Sequence, residues 1–386
     1  MTLRDIEARA LRLAPGLVTA SVLGHFAMVL FQAKMTMVDL LVYRDGSAQL
    51  FSGHLYDWRL SQFSDVWALP FTYPPFAALI FYPLSFLPWG VVRWLWQIIS
   101  VACLWWLVRV ALRLLAQRSR QPDDTALWRR RAMLWTALCI WCEPVRTTFN
   151  YGQINLLLDA VLLAGMACRR SALSGFAVGL TAGVKLTPAV SGIYYLATKR
   201  WAAAAWSVVA GALTLAVTYL LVPEAFTRYW FHLLFDPTRI GPIGSAINQS
   251  LRAALSRTVG YDVGTGPIWL GGVLVAAVLA GWALRSAIRA GDRLAGVLAV
   301  EFFTLLVSPI SWSHHWVWVV PALLWLIYGR ARGRLVTATA VLWVAAVGSF
   351  LISFLLKWQG PDIWPIPHPW WQSLLGWVYP ALGLLT

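Results

Sequence analysis

The chain has 386 residues, of which 59% are hydrophobic and only 12% are charged. Soluble domains usually carry about 25% charged residues, so this composition excludes an ordinary water-soluble protein and indicates an integral membrane protein. The net charge of +15 does not require a nucleic-acid partner, because many arginines occupy short loops between apolar segments, as the positive-inside rule predicts.

Apolar segments predict about twelve transmembrane crossings, several of them shorter than the roughly 20 residues of a full span. With that number, the strongly basic loops and both termini fall on one side of the membrane, which is then the cytoplasmic side. We therefore expect an all-α polytopic membrane protein with a single domain over residues 1–386. The predicted crossings are residues 15–33, 93–116, 132–149, 153–168, 172–184, 187–198, 201–222, 267–288, 293–312, 315–329, 335–356 and 371–386.

Residues 71–89 are also apolar, but their prolines break any long helix. Counting them as a crossing would place the basic loop at 118–131 outside the cytoplasm. We therefore predict a re-entrant or interfacial segment there. The two short apolar segments on either side of Lys185 are interpreted as a similar hairpin, which membranes tolerate only against protein or a water-filled cavity.

Three longer loops are predicted on the outer face, at 34–70, 223–266 and 357–370. The first contains four acids, and Asp39 comes first, directly after helix one and between apolar neighbours. A carboxylate in such a place can act as a general base, although a solvated loop acid remains the alternative reading. Asp45 is the second candidate for the base. The other two acids are Asp57 and Asp65.

Ionisable residues inside apolar segments are costly and are therefore candidates for function. Glu143 and Arg146 are three positions apart on one predicted helix, where they can neutralise each other. Lys185 suits a phosphate, but a lysine that snorkels to the membrane interface is an equally good interpretation. The remaining two are Asp159 and Glu301.

The adjacent residues His314 and His315 would point about 100° apart on a helix, so they cannot easily share a metal ion. One imidazole is therefore interpreted as a phosphate ligand or proton relay, and the other as a packing residue. The polar run at 150–155 predicts a turn that offers amide groups to sugar hydroxyls or, equally, caps a helix.

Long motifs are spread from Val38 to Trp371. They are VDLLVY (38–43), PFTYPPFAALIFYPL (70–84), LWTALCIWCEPVRTTFNYGQINLLL (134–158), GVKLTPA (183–189), GPIGSAINQSLR (241–252) and SPISWSHHWVW (308–318). Together they resemble the polyprenol-phosphate-mannose-dependent mannosyltransferases of glycosyltransferase family 87. Within that family, the resemblance is strongest to the α-1,2-mannosyltransferases of phosphatidylinositol mannoside synthesis.

The resemblance implies the GT-C type membrane fold and a single inverting displacement. Mannose would pass from a β-linked polyprenyl phosphate to a phosphatidylinositol tetramannoside, giving an α-1,2-linked pentamannoside. The family's essential first-loop aspartate corresponds to Asp39, and its histidine motif contains His314 and His315, which we take as catalytic. The candidate substrate-binding residues are Asp45, Tyr73, Glu143, Arg146, Gln153, Asn155, Lys185, Asn248 and Arg252.

Among these, Lys185 and Arg146, with help from Arg252, are expected to stabilise the leaving phosphate. Such cations can offset the charge of a leaving monophosphate, so no metal or other cofactor is expected. The sequence also has no strand, glycine-rich turn and helix of the Rossmann type, and therefore no signal for a nucleotide sugar.

The resemblance also implies a site on the outer face of the plasma membrane, where both lipid substrates enter sideways from the bilayer. Two alternatives stay open. The same motifs would serve a lipomannan branch enzyme or an arabinofuranosyltransferase that uses decaprenyl phosphate. Intramembrane charges and broken helices also fit a transporter of lipid-linked sugars, although the motifs show no inverted repeat.

Overall fold

The computed structural model describes residues 3–31, 35–61, 68–119 and 124–386. Within these ranges the chain is mostly helical, with one short antiparallel ribbon of β1 (Arg59–Leu60) and β2 (Leu69–Pro70). The helices are α1 (Leu3–Leu30), α2 (Val38–Leu41), α3 (Pro75–Phe81), α4 (Trp89–Ala116), α5 (Thr125–Cys139), α6 (Glu143–Tyr151), α7 (Asn155–Ala167), α8 (Ser171–Val184), α9 (Gly192–Ala197), α10 (Trp201–Leu221), α11 (Pro223–Arg228), α12 (Leu251–Val259), α13 (Pro267–Ala290), α14 (Arg293–Val307), α15 (Val319–Tyr328), α16 (Arg334–Gly348), α17 (Leu351–Gln359), α18 (Trp370–Leu375) and α19 (Val378–Leu385).

Shorter turns connect several of these helices. The 3₁₀ turns are Leu50–Ser52, Tyr82–Phe86, Thr187–Ser191, Pro237–Arg239 and Ser313–Trp318, and the π turns are Val42–Gly46 and Tyr229–Leu233. The described parts of the predicted outer loops 34–70 and 223–266 therefore contain several short helical elements. These elements bring polar side chains of the loops against the longer helices.

Among the described residues, four helical segments are long and apolar enough to cross a membrane. They are Glu7–Leu30 within α1, and the whole of α4, α10 and α13; α16 and α17, bent by 48°, make a fifth if they count as one span. This supports the expectation of a helical membrane protein. The count of about twelve crossings is not confirmed, because the remaining apolar helices are too short for a full span.

Several predicted crossings are interrupted, as three examples show. The segment 132–149 is divided between α5 and α6, since Pro144 stands in the first turn of α6 and cannot continue the preceding helix. The segment 335–356 bends at Phe350, which has a φ of 55°. The segment 187–198 starts with a 3₁₀ turn before α9.

The re-entrant or interfacial prediction for residues 71–89 agrees with the observed lengths. Here α3 and the following 3₁₀ turn together cover Pro75–Phe86. Twelve helical residues extend about 18 Å, which is well short of a hydrocarbon core of about 30 Å.

The segment with the two histidines is anchored in the protein core. Trp316, which has no exposed surface, packs with its ring centroid 5.5 Å from that of Tyr379 and 6.0 Å from that of Trp343. These three large rings join the 3₁₀ turn Ser313–Trp318 to α16 and α19. The preceding histidines are thereby fixed relative to the helices around them.

Candidate active site

Asp39 lies on the short helix α2, which is held by the turn between α6 and α7. The backbone N–H of Met37 donates to the carbonyl of Asn150 over 2.7 Å. Gly152 ends α6 with a φ of 69°, and a Cβ atom there would lie 2.6 Å from the Cβ of Leu40. The polar turn therefore supports the helix that carries the acid, a role that the sequence did not indicate.

The carboxylate of Asp39 is half-buried and accepts a 2.5 Å hydrogen bond from Nε2 of Gln153. Burial raises the pKa of Asp39 to about 6, while the hydrogen bond from Gln153 and the charge of Lys185 oppose the rise. Near neutral pH the carboxylate is therefore mostly ionised, yet it accepts a proton more readily than an ordinary aspartate. Both properties suit a general base.

Two tyrosines fix the orientation of Gln153. The hydroxyl of Tyr43 donates to Oε1 of Gln153 over 2.9 Å, and the hydroxyl of Tyr73 does so over 3.2 Å. Because both tyrosines engage the carbonyl oxygen, the amide nitrogen is left to face Asp39. Tyr73, predicted to bind substrate, thus also acts on the acid through Gln153.

Lys185 follows α8 directly and lies beside the histidine pair. Its ammonium group donates to Oδ1 of Asn155 over 2.8 Å and lies 3.1 Å from Nε2 of His315. Burial lowers the pKa of Lys185 to about 8, and the charges of Asp159 and Asp39 oppose the fall. The side chain is held among polar groups of the protein, which favours the anion-binding interpretation over a snorkelling lysine.

The two adjacent histidines face different surroundings. His315 contacts Lys185, whereas the ring of His314 packs edge-on against Tyr151 with centroids 5.4 Å apart. The backbone carbonyl of His314 accepts a 2.8 Å hydrogen bond from Asn155, which fixes the segment. Neither ring nitrogen of His314 has a hydrogen-bond partner among the described residues, so neither is used in the hydrogen bonds that hold this segment.

Two chambers meet at Asp39. The larger chamber, of about 880 Å³, includes His314 in its wall. The smaller chamber, of about 330 Å³, includes Lys185 and His315. Asp39 and Gln153 line both. A hydroxyl group in the larger chamber and a phosphate in the smaller one would therefore approach each other beside the carboxylate.

Sequence reasoning missed two basic residues of these chambers. Arg239 lines both, and its guanidinium lies 5.7 Å from the ring centroid of Tyr56; Arg59 lines the larger chamber. Trp312, which also lines both chambers, was missed as well. One property of the sequence could have identified the two arginines as candidates. Both belong to predicted outer loops, whereas the positive-inside rule places most basic residues in the cytoplasm.

A small cavity of about 40 Å³ lies behind Lys185 and His315. Asp159 and Glu301 line it, and Glu301 accepts a 2.5 Å hydrogen bond from Ser191. The two acids that the sequence left without a role are thus close to the lysine. Of the two, Asp159 is the acid whose charge favours the ammonium form of Lys185.

Glu143 and Arg146 have other partners and do not form an ion pair with each other, contrary to the expectation from their spacing. Arg146 lies 3.0 Å from Nδ1 of His25 on α1, while Glu143 accepts hydrogen bonds from Ser353 and Tyr379. Neither residue lines the two chambers. Because α6 is a separate short helix, its charged side chains pack against α1, α17 and α19 instead of a substrate.

Arg252 and Asn248 also lie away from the two chambers. Arg252 donates two hydrogen bonds, of 2.9 and 2.6 Å, to Asp262. Asn248 has no exposed surface and accepts a 2.9 Å hydrogen bond from the N–H of Ser311. It therefore ties the segment 241–252 to the histidine segment instead of offering its amide to a sugar.

The remaining acids of the first loop are paired or lie outside the described residues. Asp45 forms an ion pair with its neighbour Arg44, and Asp57 pairs with an arginine of α11 over 2.5 Å. Asp65 falls in a range that the structure does not describe. Asp39 is thus the acid of this loop that the described residues bring to the chambers.

Comparison with known proteins gives consistent matches. The family model described as glycosyltransferase family 87 matches residues 71–309. A protein of Mycolicibacterium smegmatis, named polyprenol-phosphate-mannose-dependent alpha-(1-2)-phosphatidylinositol pentamannoside mannosyltransferase, is 45% identical over 98% of this chain and 91% of its own length. A protein of Mycobacterium tuberculosis with the same name is 44% identical over 90% of this chain and 80% of its own length.

A further Mycobacterium tuberculosis protein is more distant. It is named polyprenol-phosphate-mannose-dependent alpha-(1-2)-phosphatidylinositol mannoside mannosyltransferase and is 32% identical over 92% of this chain and 85% of its own length. No solved structure gives a significant match.

Proposed function

The chain belongs to glycosyltransferase family 87, and on this premise we propose that it transfers mannose from polyprenyl-phosphate-mannose to a phosphatidylinositol mannoside with an α-1,2 linkage. Relatives named for this activity match it over nearly the whole chain. The acceptor is the tetramannoside and the product the pentamannoside. The observation that carries the mechanism is the position of Asp39 where the two chambers meet.

Asp39 acts as the general base. It accepts the proton of the attacking acceptor hydroxyl as the hydroxyl oxygen bonds to the anomeric carbon of mannose. The bond from that carbon to the phosphate oxygen breaks, and its electron pair leaves with the polyprenyl phosphate. Attack opposite the leaving group inverts the anomeric carbon. A positioned base of this kind contributes roughly 10²- to 10⁴-fold to the rate.

The donor phosphate occupies the smaller chamber, and the acceptor glycan occupies the larger one. Lys185 and His315 lie together in the smaller chamber, where a cation and an imidazole N–H stabilise the charge that develops on the leaving phosphate. His314, with both ring nitrogens unpartnered among the described residues, binds hydroxyl groups of the acceptor.

We propose that the fold is of the GT-C type, with about twelve membrane segments of which several are broken or short. The active site faces the outside of the plasma membrane, and both termini are cytoplasmic.

The grouping of basic residues at one end of the helices supports this orientation. Arg118, just after α4, donates to the carbonyl of Ala290 over 2.8 Å, and Arg330 donates to the carbonyl of Arg118 over 2.9 Å. The start of α4, by contrast, adjoins the first loop, where Arg44 donates to the carbonyl of Leu87.

The test compares Asp39→Asn with Asp45→Asn, the same substitution in the same loop but away from the chambers. Membrane vesicles containing each variant receive polyprenyl-phosphate-mannose and phosphatidylinositol tetramannoside, and pentamannoside is quantified. We expect a loss of about 10²- to 10⁴-fold for Asp39→Asn and little change for Asp45→Asn. Wild-type transfer by Asp39→Asn at equal protein level would refute the assignment of the base.

The same assay separates the alternatives. Decaprenyl-phosphate-arabinofuranose as donor tests the arabinofuranosyltransferase reading, and the pentamannoside as acceptor tests whether the enzyme acts one step later. Donor that crosses the vesicle membrane without product formation would indicate a transporter.

A further inference from the structure

We propose that a groove between α4 and α5 binds the head group of an anionic phospholipid at the membrane face opposite the active site. The groove has a volume of about 410 Å³. Arg109 and Arg113 of α4 and Arg129 of α5 line it, together with the indole groups of Trp106 and Trp128. Three guanidinium groups from two helices thus border one concave surface.

The arginines of this groove have no acidic partner in the part of the chain that the structure describes. Among the described residues, no carboxylate forms an ion pair with Arg109, Arg113 or Arg129, and no acidic residue lines the groove. Asp124, which begins α5, accepts the N–H of Leu127 over 2.8 Å as a helix cap. Like charges that face one concave surface repel each other, and a bound anion removes that cost.

An apolar stripe on α4 continues the groove toward the middle of the membrane. Leu95, Ile99 and Trp106 are 44%, 44% and 52% exposed, and spacings of about one and two helical turns put them on the helix face that also carries Arg109 and Arg113. A phosphate with attached acyl chains matches this arrangement, because the chains can lie along the stripe while the phosphate meets the arginines. Free phosphate would leave the stripe unused.

The depth of the groove agrees with a lipid head group. From Trp89 to Arg113, α4 rises about 36 Å at 1.5 Å per residue, compared with a hydrocarbon core of about 30 Å. The helix starts beside the first loop, so the groove lies at the opposite membrane surface. Basic pockets between helices at that surface are suited to anionic head groups.

The experiment is native mass spectrometry of the detergent-purified full chain titrated with phosphatidylglycerol or with phosphatidylcholine. The groove variant is Arg109→Gln/Arg113→Gln/Arg129→Gln. The matched control is Arg169→Gln/Arg285→Gln/Arg289→Gln, which removes three exposed arginines elsewhere and gives the same net charge. With each arginine contributing the usual surface attraction, we expect the groove variant to bind the first phosphatidylglycerol on the order of a hundredfold more weakly. The control variant should bind it like the wild type.

A second variant guards against loss of folding. Thr125→Glu adds a carboxylate to the groove wall in the first turn of α5, where a negative charge stabilises a helix. It should keep the wild-type melting temperature and lose phosphatidylglycerol binding. Equal phosphatidylglycerol affinity in the groove and control variants, or equal affinity of the wild type for phosphatidylcholine, would overturn the proposal. Displacement of the lipid by millimolar inorganic phosphate alone would also overturn it, since the acyl chains would then contribute nothing.

Discussion

The side-chain amide of Gln153 donates a 2.5 Å hydrogen bond to the carboxylate of Asp39, although the two residues are 114 positions apart in sequence. The donor favours the ionised carboxylate, whereas burial favours the protonated one. Because the two effects oppose each other, the acid stays ionised near neutral pH without becoming a weak base. The activity of the site should therefore respond to pH and to changes at Gln153.

We expect the kcat/KM of the wild type to rise with pH around 6 and to fall around 8. The acid limb of the profile reports Asp39, which must lose its proton to act as a base, and the alkaline limb reports Lys185, which must keep its proton.

Gln153→Leu removes a hydrogen-bond donor to the ionised carboxylate of Asp39. The acid limb should therefore move to higher pH, and activity at pH 6 should fall by about tenfold, with a much smaller loss at neutral pH. Gln97→Leu is the control, since Gln97 donates to the carbonyl of Phe149 and not to Asp39. An acid limb that stays in place in Gln153→Leu would contradict the coupling.

Gly152→Ala should disable the enzyme by displacing α2. The new Cβ atom would lie 2.6 Å from the Cβ of Leu40, and the left-handed backbone adds about 1–2 kcal/mol of strain. Since a displacement of about 1 Å can cost roughly a hundredfold in rate, we expect kcat to fall at least tenfold and the melting temperature to drop. Gly281→Ala is the matched control, because nothing lies within 4 Å of its added Cβ in the middle of α13. Its activity should equal that of the wild type, and wild-type kcat in Gly152→Ala would show that α2 tolerates the shift.

Lys185→Met should lower kcat by roughly 10²- to 10³-fold, the usual cost of removing one stabilising group from a developing anion. Lys185→Arg keeps the charge and should recover part of the loss. Arg146→Met is the informative comparison, because Arg146 contacts His25 and lies outside both chambers. We expect it to reduce thermal stability while kcat/KM per folded molecule changes little. If Arg146→Met were the more damaging variant in steady-state kinetics, the phosphate would have to be bound elsewhere.

The two histidines should separate in kinetics because they line different chambers. His315→Gln is expected to raise the KM for the lipid donor, and His314→Gln the KM for the mannoside acceptor. The loss of one hydrogen bond to a bound substrate should raise the corresponding KM by about tenfold. Steady-state measurements with each substrate varied in turn distinguish the two effects. Equal effects of both variants on the donor alone would mean that the assignment of the chambers is incorrect.

Several features of the site follow from the sequence because they depend on local chemistry. Asp39 was selected for its apolar neighbours directly after the first helix, and it lines both chambers. Lys185 and the histidine pair were selected as polar groups within apolar segments. The ammonium group of Lys185 lies 3.1 Å from Nε2 of His315. A charge in an apolar segment is costly wherever the chain folds, so its significance is visible without a structure.

Other features depend on how distant segments meet. The sequence predicts Arg146 as a phosphate ligand. Because the chain breaks before α6, this helix instead places the Arg146 side chain against His25 of α1. Arg239 was not among the candidates from the sequence, yet it lines both chambers. Neither outcome is visible in the spacing of residues, because spacing describes one helix and not its neighbours.

The sequence by itself determined that this protein is an apolar helical glycosyltransferase and which acid is its candidate base, because composition, periodicity and family motifs are properties of the chain alone. Only the tertiary structure decided what surrounds that acid: the amide of Gln153, the two chambers, and the placement of His314 and His315 in different chambers. The physical reason is that the free energy of a buried charge depends on its partners in space, and such partners come from segments more than a hundred residues apart in sequence.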